Sequence, residues 1–148
     1  MREFMEEALL QARIAFSEDE VPIGCVIVHD NKIIVREHNS KIKDNNSLMH
    51  AEIKAINSAQ KLLNTKYLYD CTMYVTLEPC AMCAGAMVNA RLGKLIYALE
   101  EPKTGCCGSV MNLLDGKFNH RVEVEKGLCS SQSKELMQEF FKNKRSNK

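Results

Sequence analysis

Two short metal-ligating motifs set the strongest constraint on how this chain can fold. Cys80-Ala81-Met82-Cys83 stands at the start of one helical run, and His50 stands at the start of another, thirty residues earlier. A three-residue separation puts both sulfurs on one side of a first helical turn, where they can share an ion. A helix N-terminus carries partial positive charge and unpaired N–H groups, which favour thiolate over thiol. Two thiolates and an imidazole form a soft set suited to zinc. If one ion takes all three, the fold must bring the two helix starts together. Three protein ligands leave the fourth tetrahedral position for water, the catalytic arrangement, and zinc lowers the pKa of such a water to about 7. Glu52 is a candidate proton carrier beside it. On a regular helix, residues i and i+2 point about 200° apart. His50 and Glu52 therefore share a site only if His50 lies in an irregular first turn, or if the substrate sits between them.

The rest of the chain must be one domain, because 148 residues are too few for two ordinary ones. Apolar residues make up 45% and charged residues 26%, enough for a single core and unlike a disordered tail. The formal charge is +1. That excludes a bulk polycation, so any anionic partner must meet a local patch. The longest clean apolar stretch, Ile23 to Val28, is far short of the roughly 20 residues that span a bilayer. The first residues are acidic where a signal peptide is basic, and no prenylation cysteine ends the chain. The expected location is the cytoplasm, with no membrane partner. Seven cysteines then read as reduced thiols or metal ligands.

Apolar residues at helical spacing (Phe4, Met5, Ala8, Leu9, Ala12, Phe16) predict a helix over 3–17. Ile23 to Val28 reads as a buried strand, Asp30-Asn31 as a turn, and Lys32 to Glu37 as the returning strand. Residues 38–49 are polar and predict a loop. A helix follows over 51–63, then a strand over 72–76. Pro79 precedes a helical run from Cys80 to Ala90, ended by Gly93. Strands over 94–98 and 122–124 and a closing helix over 133–144 complete the pattern. Strands joined through helices imply a three-layer α/β/α domain with a five-stranded mixed sheet.

The cysteines admit other readings. The pair could be a redox site, although it follows Glu78-Pro79 and lacks aromatic neighbours. It could also belong to a closed structural zinc completed by Cys106, Cys107 or Cys129. Cys25 and Cys71 read as small core residues, and His29, His38 and His120 as surface or structural ones.

His50-Ala51-Glu52 with Pro79-Cys80-Ala81-Met82-Cys83 resembles the zinc-dependent nucleobase deaminases. Val21-Pro22-Ile23-Gly24, Asn39, Thr76-Leu77-Glu78-Pro79, Ala84-Gly85-Ala86-Met87, Lys103-Thr104-Gly105 and Phe140-Phe141 extend the likeness to the bacterial tRNA adenosine deaminases, from about residue 3 to 145. The resemblance implies a cytidine-deaminase-like fold, one zinc ion per subunit and a homodimer. It also implies hydrolytic deamination of the wobble adenosine of a tRNA anticodon to inosine. His50, Cys80 and Cys83 would hold zinc, and Glu52 would carry protons. Asn39 would meet the base, with Ile23, Ala51 and Leu77 around it. Glu101 departs from the pattern, standing where the family often has aspartate. A deaminase of free bases or nucleosides and a non-catalytic zinc-stabilised binding module are the competing readings.

Charge is unevenly spread. Residues 1–20 carry two basic and six acidic side chains; residues 134–148 carry five basic (Lys134, Lys142, Lys144, Arg145, Lys148) and two acidic. In this basic helix and tail, about 133–148, the basic end follows the aromatic pair Phe140-Phe141. Rings that stack on bases beside cations that meet phosphates suit a splayed single-stranded loop. Lys103, Phe141, Lys142 and Arg145 are the candidate RNA contacts. Either phenylalanine could instead pack the last helix onto the core.

Overall fold

The computed structural model describes residues 1–146; Asn147 and Lys148, the latter counted in the basic tail above, lie outside the described residues. Nine elements follow in chain order: α1 (Arg2–Ser17), β1 (Gly24–His29), β2 (Lys32–His38), α2 (Ala51–Leu63), β3 (Cys71–Leu77), α3 (Ala81–Asn89), β4 (Lys94–Leu99), β5 (Glu123–Lys126) and α4 (Ser130–Ser146). The strands form one mixed sheet in the order β2-β1-β3-β4-β5. β1 runs antiparallel to β2 and β3, while β3, β4 and β5 are parallel. The expected three-layer α/β arrangement is therefore present.

Strand alternation builds the two faces. Val26, Val28, Tyr74, Ile96 and Ala98 point toward Met5, Ala8 and Leu9 of α1. Their neighbours Cys25, Ile27, Met73, Val75, Leu95 and Tyr97 pack with Ala55, Ile56 and Ala59 of α2 and with Met87 and Val88 of α3. α4 closes the first face, seating buried Phe140 edge-on against Phe16. Cys25 and Cys71 are buried core residues, as their strand positions predicted. Gly24 lets α1 approach the sheet closely, since a Cβ there would overlap the backbone of Ala8 and Ala12.

The hairpin turn at Asp30-Asn31 has positive φ at both residues, 52° and 61°, the twist that joins adjacent strands tightly. Asn64 ends α2 in the left-handed conformation. Several boundaries differ from the sequence pattern. Cys80 caps α3 from outside instead of starting it. β5 begins and ends later than the Val122–Val124 reading. α4 begins at Ser130, three residues early, because a turn with positive φ at Gly127 and Cys129 launches it. The serines there carry no apolar period to read. Buried Ser133 is anchored instead by its hydroxyl, which donates to the Thr76 carbonyl at 2.5 Å.

Sheet register positions the site. Cys25 pairs with Val75 and Gly24 with His38. The start of β1, the end of β2 and the end of β3 thus meet at one edge of the sheet. Ile23, Asn39, Leu77 and Cys80 lie on these strand ends or just past them. Crevices at the carboxyl ends of parallel strands are the usual ligand sites of such sheets.

Candidate active site

Both motif helices begin with an extended residue whose side chain leaves the helix axis. His50 has φ −72° and ψ 147°, and Cys80 has φ −78° and ψ −179°. Neither side chain caps its own helix. Both turn instead toward one point. His50 Nδ1 lies 3.7 Å from Cys80 Sγ and 3.5 Å from Cys83 Sγ. The three donor atoms all fall within 4.8 Å of one another. This answers the geometric objection raised by the spacing. His50 is outside the regular helix, so it and Glu52 can serve one site.

Among the described residues this is the one group of three or more such side chains with that convergence, and it has no fourth protein donor. Cys129 packs on the opposite face of the sheet. Cys106 turns to the Thr104 carbonyl and Cys107 to that of Pro79. A closed four-residue site is therefore not built, and the three-donor reading stands on geometry.

Glu52 is 3% exposed, and its Oε1 is a buried oxygen without a hydrogen-bond partner among the described residues. Burying an ionised carboxylate is costly unless something satisfies it. Burial accordingly pushes its carboxyl up to about 7, against the opposing pull of its own backbone N–H and of His50. The hydrogen bond with Cys83 draws the Cys80 thiol down to about 3, and the imidazole adds to the effect. Cys83, holding the shared proton in a buried position, is pushed up. The bond to Cys80 raises His50 above its ordinary value against the effect of burial. A cation competes for the lone pairs that these protons occupy. The donor set fits zinc, and the orphaned oxygen fits a proton acceptor beside the open coordination position.

Asn39 is buried, and its Oδ1 accepts the Ala51 N–H at 2.9 Å. It supplies the cap that His50 does not. Because a carbonyl oxygen must face that N–H, the amide orientation is dictated and Nδ2 points elsewhere. Ala51 itself is fully buried with its N–H engaged, so it holds the turn between His50 and Glu52. Ile23 accepts the Asn39 N–H at 3.1 Å through its carbonyl. Leu77 lines a cavity of about 350 Å³ with Leu99, Lys134, Met137, Phe141 and Arg145. That cavity joins the end of β3 to the basic helix.

α4 sorts the aromatic and basic candidates. Phe140 is buried, whereas Phe141 is 43% exposed. Lys144 is held by Asp19 at 2.6 Å and lies over the Phe140 ring. Lys142 and Arg145 are exposed or nearly so and make no ion pair among the described residues. Lys103 is exposed on the 100–109 loop. His38 bridges Gln11 and Glu18, and His120 meets the Leu92 carbonyl, so both are structural.

The family model described as MafB19-like deaminase matches residues 1–145. The chain belongs to the MafB19-like deaminase family. The tRNA-specific adenosine deaminase of Rickettsia typhi is 56% identical over 95 residues, 63% of this chain and 64% of that protein. The protein of the same name in Streptococcus pyogenes is 48% identical over 94 residues, 64% of this chain and 59% of that protein. The matched stretch thus spans less than two thirds of these curated relatives. A solved structure from work on A-to-I editing by tRNA:A34 deaminases at the wobble position of transfer RNA superposes with TM-score 0.89. It is 40% identical, and the match covers 92% of this chain and 99% of that one.

Two buried carboxylates of this family member were not singled out from the sequence. Glu20 accepts the N–H groups of Ile42 and Lys43 and pins the loop that follows Asn39. Glu78 gathers donors from the 101–109 segment. An acid beside Pro79 was the available signal for Glu78. Nothing local marks Glu20, whose partners lie more than twenty residues away.

Proposed function

We propose that this chain deaminates the wobble adenosine of a tRNA anticodon to inosine, with water as co-substrate and ammonia as product. His50, Cys80 and Cys83 hold one zinc ion, which supplies the Lewis acidity that makes water nucleophilic at neutral pH. Glu52 carries the reading: a buried carboxylate oxygen with no protein partner sits beside a converged nitrogen–sulfur set. Glu52 takes a proton from water and delivers it to adenine N1 as the C6–O bond forms. It then takes the proton of the new C6 hydroxyl and passes it to the departing amino group, so that the C6 carbonyl forms as the C6–N bond breaks and ammonia leaves. Asn39, its Oδ1 committed to Ala51, offers Nδ2 to an acceptor on the purine. Ile23 and Leu77 supply apolar walls.

An anticodon loop already exposes its bases, so little unstacking is required. Phe141 offers a ring, and Lys103, Lys142 and Arg145 offer cations to the phosphates. We also infer a homodimer, supported by an apolar groove where exposed Phe118 and half-buried Leu113 meet α3 at Gly85 and Val88. A tRNA substrate puts the activity in the cytoplasm; among the described residues no helix is long and apolar enough to cross a membrane.

The test is inosine mapping on an anticodon stem-loop, with zinc quantified on the same protein and with free guanine and cytidine as competing substrates. Inosine at the wobble position, with both free compounds untouched, supports the proposal. Glu52→Ala should keep zinc and lose about 10⁴-fold in rate. Turnover of guanine or cytidine in place of the RNA would move the chain to the free-base reading. No ammonia from any of them would leave a binding module.

A further inference from the structure

Glu78 immediately precedes Pro79-Cys80, and its carboxylate is 3% exposed. It makes no ion pair among the described residues. Four donors surround it instead, all from one segment. Oε1 accepts the Glu101 N–H at 3.0 Å and the Ser109 hydroxyl. Oε2 accepts the N–H groups of Cys107 at 3.1 Å and Ser109 at 3.0 Å. The tie continues on either side, where the Cys106 N–H donates to the Pro79 carbonyl at 2.9 Å and the Glu78 N–H to Leu99 at 2.8 Å. Gly105 leaves the necessary room, since a Cβ there would overlap the carboxylate. The segment has no helix or strand of its own beyond an isolated bridge at Cys107; turn bonds such as Gly105 N–H to the Glu101 carbonyl fold it locally, and the Glu78 bonds fasten it to the end of β3.

The held segment carries Lys103, whose N–H donates to Glu101 Oε1 at 3.0 Å. Glu101 is thus fixed at both ends: its own N–H on Glu78 and its carboxylate on the Lys103 backbone. We propose that Glu78 is a positioning residue that locks the 101–109 segment against the Cys80-bearing turn and so presents Lys103 to the RNA. This deepens the proposed function and rests on its RNA substrate. Glutamine replaces Glu78 poorly, because its amide nitrogen would face either the Cys107 and Ser109 N–H groups or the Glu101 N–H, none of which accepts; only the Ser109 hydroxyl could turn to accept from it. An apolar residue would leave the donors unmet.

Two measurements test the proposal on the zinc-loaded full chain. The first is amide hydrogen exchange. In Glu78→Gln the amides of Glu101, Cys107 and Ser109 should exchange about tenfold or more faster, with the strand amides of β3 and β4 little changed. The second is a double-mutant cycle with Lys103→Ala, read as KM and kcat on an anticodon stem-loop. Glu78→Gln should raise KM about tenfold with kcat within about threefold, and Lys103→Ala should add little in that background. Ser109→Ala removes one donor from an exposed residue and should shift both readouts the same way by less, which keeps the test alive if Glu78→Gln misfolds. Unchanged exchange in both variants overturns the positioning claim. Full additivity of Lys103→Ala with either variant overturns the link to RNA. A wild-type protein that leaves the stem-loop unedited sinks the RNA reading, while the exchange result still decides what Glu78 holds.

Discussion

Replacing Glu52 by Gln should change how the stability of the metal-free protein depends on pH. Burial raises the folded-state pKa of Glu52 from an ordinary 4.5 to about 7. Between those values the folded protein holds a proton that the unfolded chain has released. The contribution is fully present below pH 4.5 and is lost as pH rises through about 7. At about 1.4 kcal/mol per pH unit, the interval is worth about 3 kcal/mol as an upper bound. Glutamine carries no such proton and keeps nearly the same volume. The metal-free variant should therefore match wild type near pH 4.5 and exceed its stability by up to about 3 kcal/mol at pH 8. Urea unfolding of both proteins across that range, after chelation, measures the difference. Parallel curves would refute the reasoning, because they would mean that Glu52 ionises in the fold as it does in water.

Other substitutions separate roles that the geometry assigns. Asn39→Ala removes the acceptor of the Ala51 N–H and should cost about 1–2 kcal/mol in a thermal melt. Asn39→Asp keeps that acceptor, so it should hold the melting temperature while losing the Nδ2 donor and most of the activity. Phe140→Ala should cost about 3 kcal/mol or more in stability. Phe141→Ala should stay within about 0.5 kcal/mol of wild type yet weaken stem-loop binding by about 1–2 kcal/mol, measured by titration. Arg145→Ala should reduce the salt slope of RNA binding by about 0.7. Lys144→Ala should leave that slope nearly unchanged, because its ammonium is committed to Asp19.

Much of the site could be read from residue types alone. Local spacing placed His50 and Cys80 at helix starts, and soft donor chemistry named the ion they suit. The period of the apolar residues located α1 and α2 almost to the residue. Serine-rich Ser130–Ser133 defeated the same method, because that turn is held by the Ser133 hydroxyl donating to the Thr76 carbonyl and not by an apolar stripe. The equal claims of Phe140 and Phe141 could not be separated along the chain. Only the docking of α4 on α1 decided which ring is covered.

The sequence by itself determined the candidate donor set, the candidate acid beside it, the helix and strand identities and the mixed sheet, since these follow from short-range periodicity and ligand chemistry. Tertiary structure alone decided that His50 leaves its helix, that no third cysteine joins the candidate metal site, and that Asn39 and Glu78 hold the flanking turns. Those outcomes depend on strand register and on buried side-chain oxygens meeting backbone N–H groups, twelve residues away for Asn39 and more than twenty for Glu78. Such partners carry no side-chain signature.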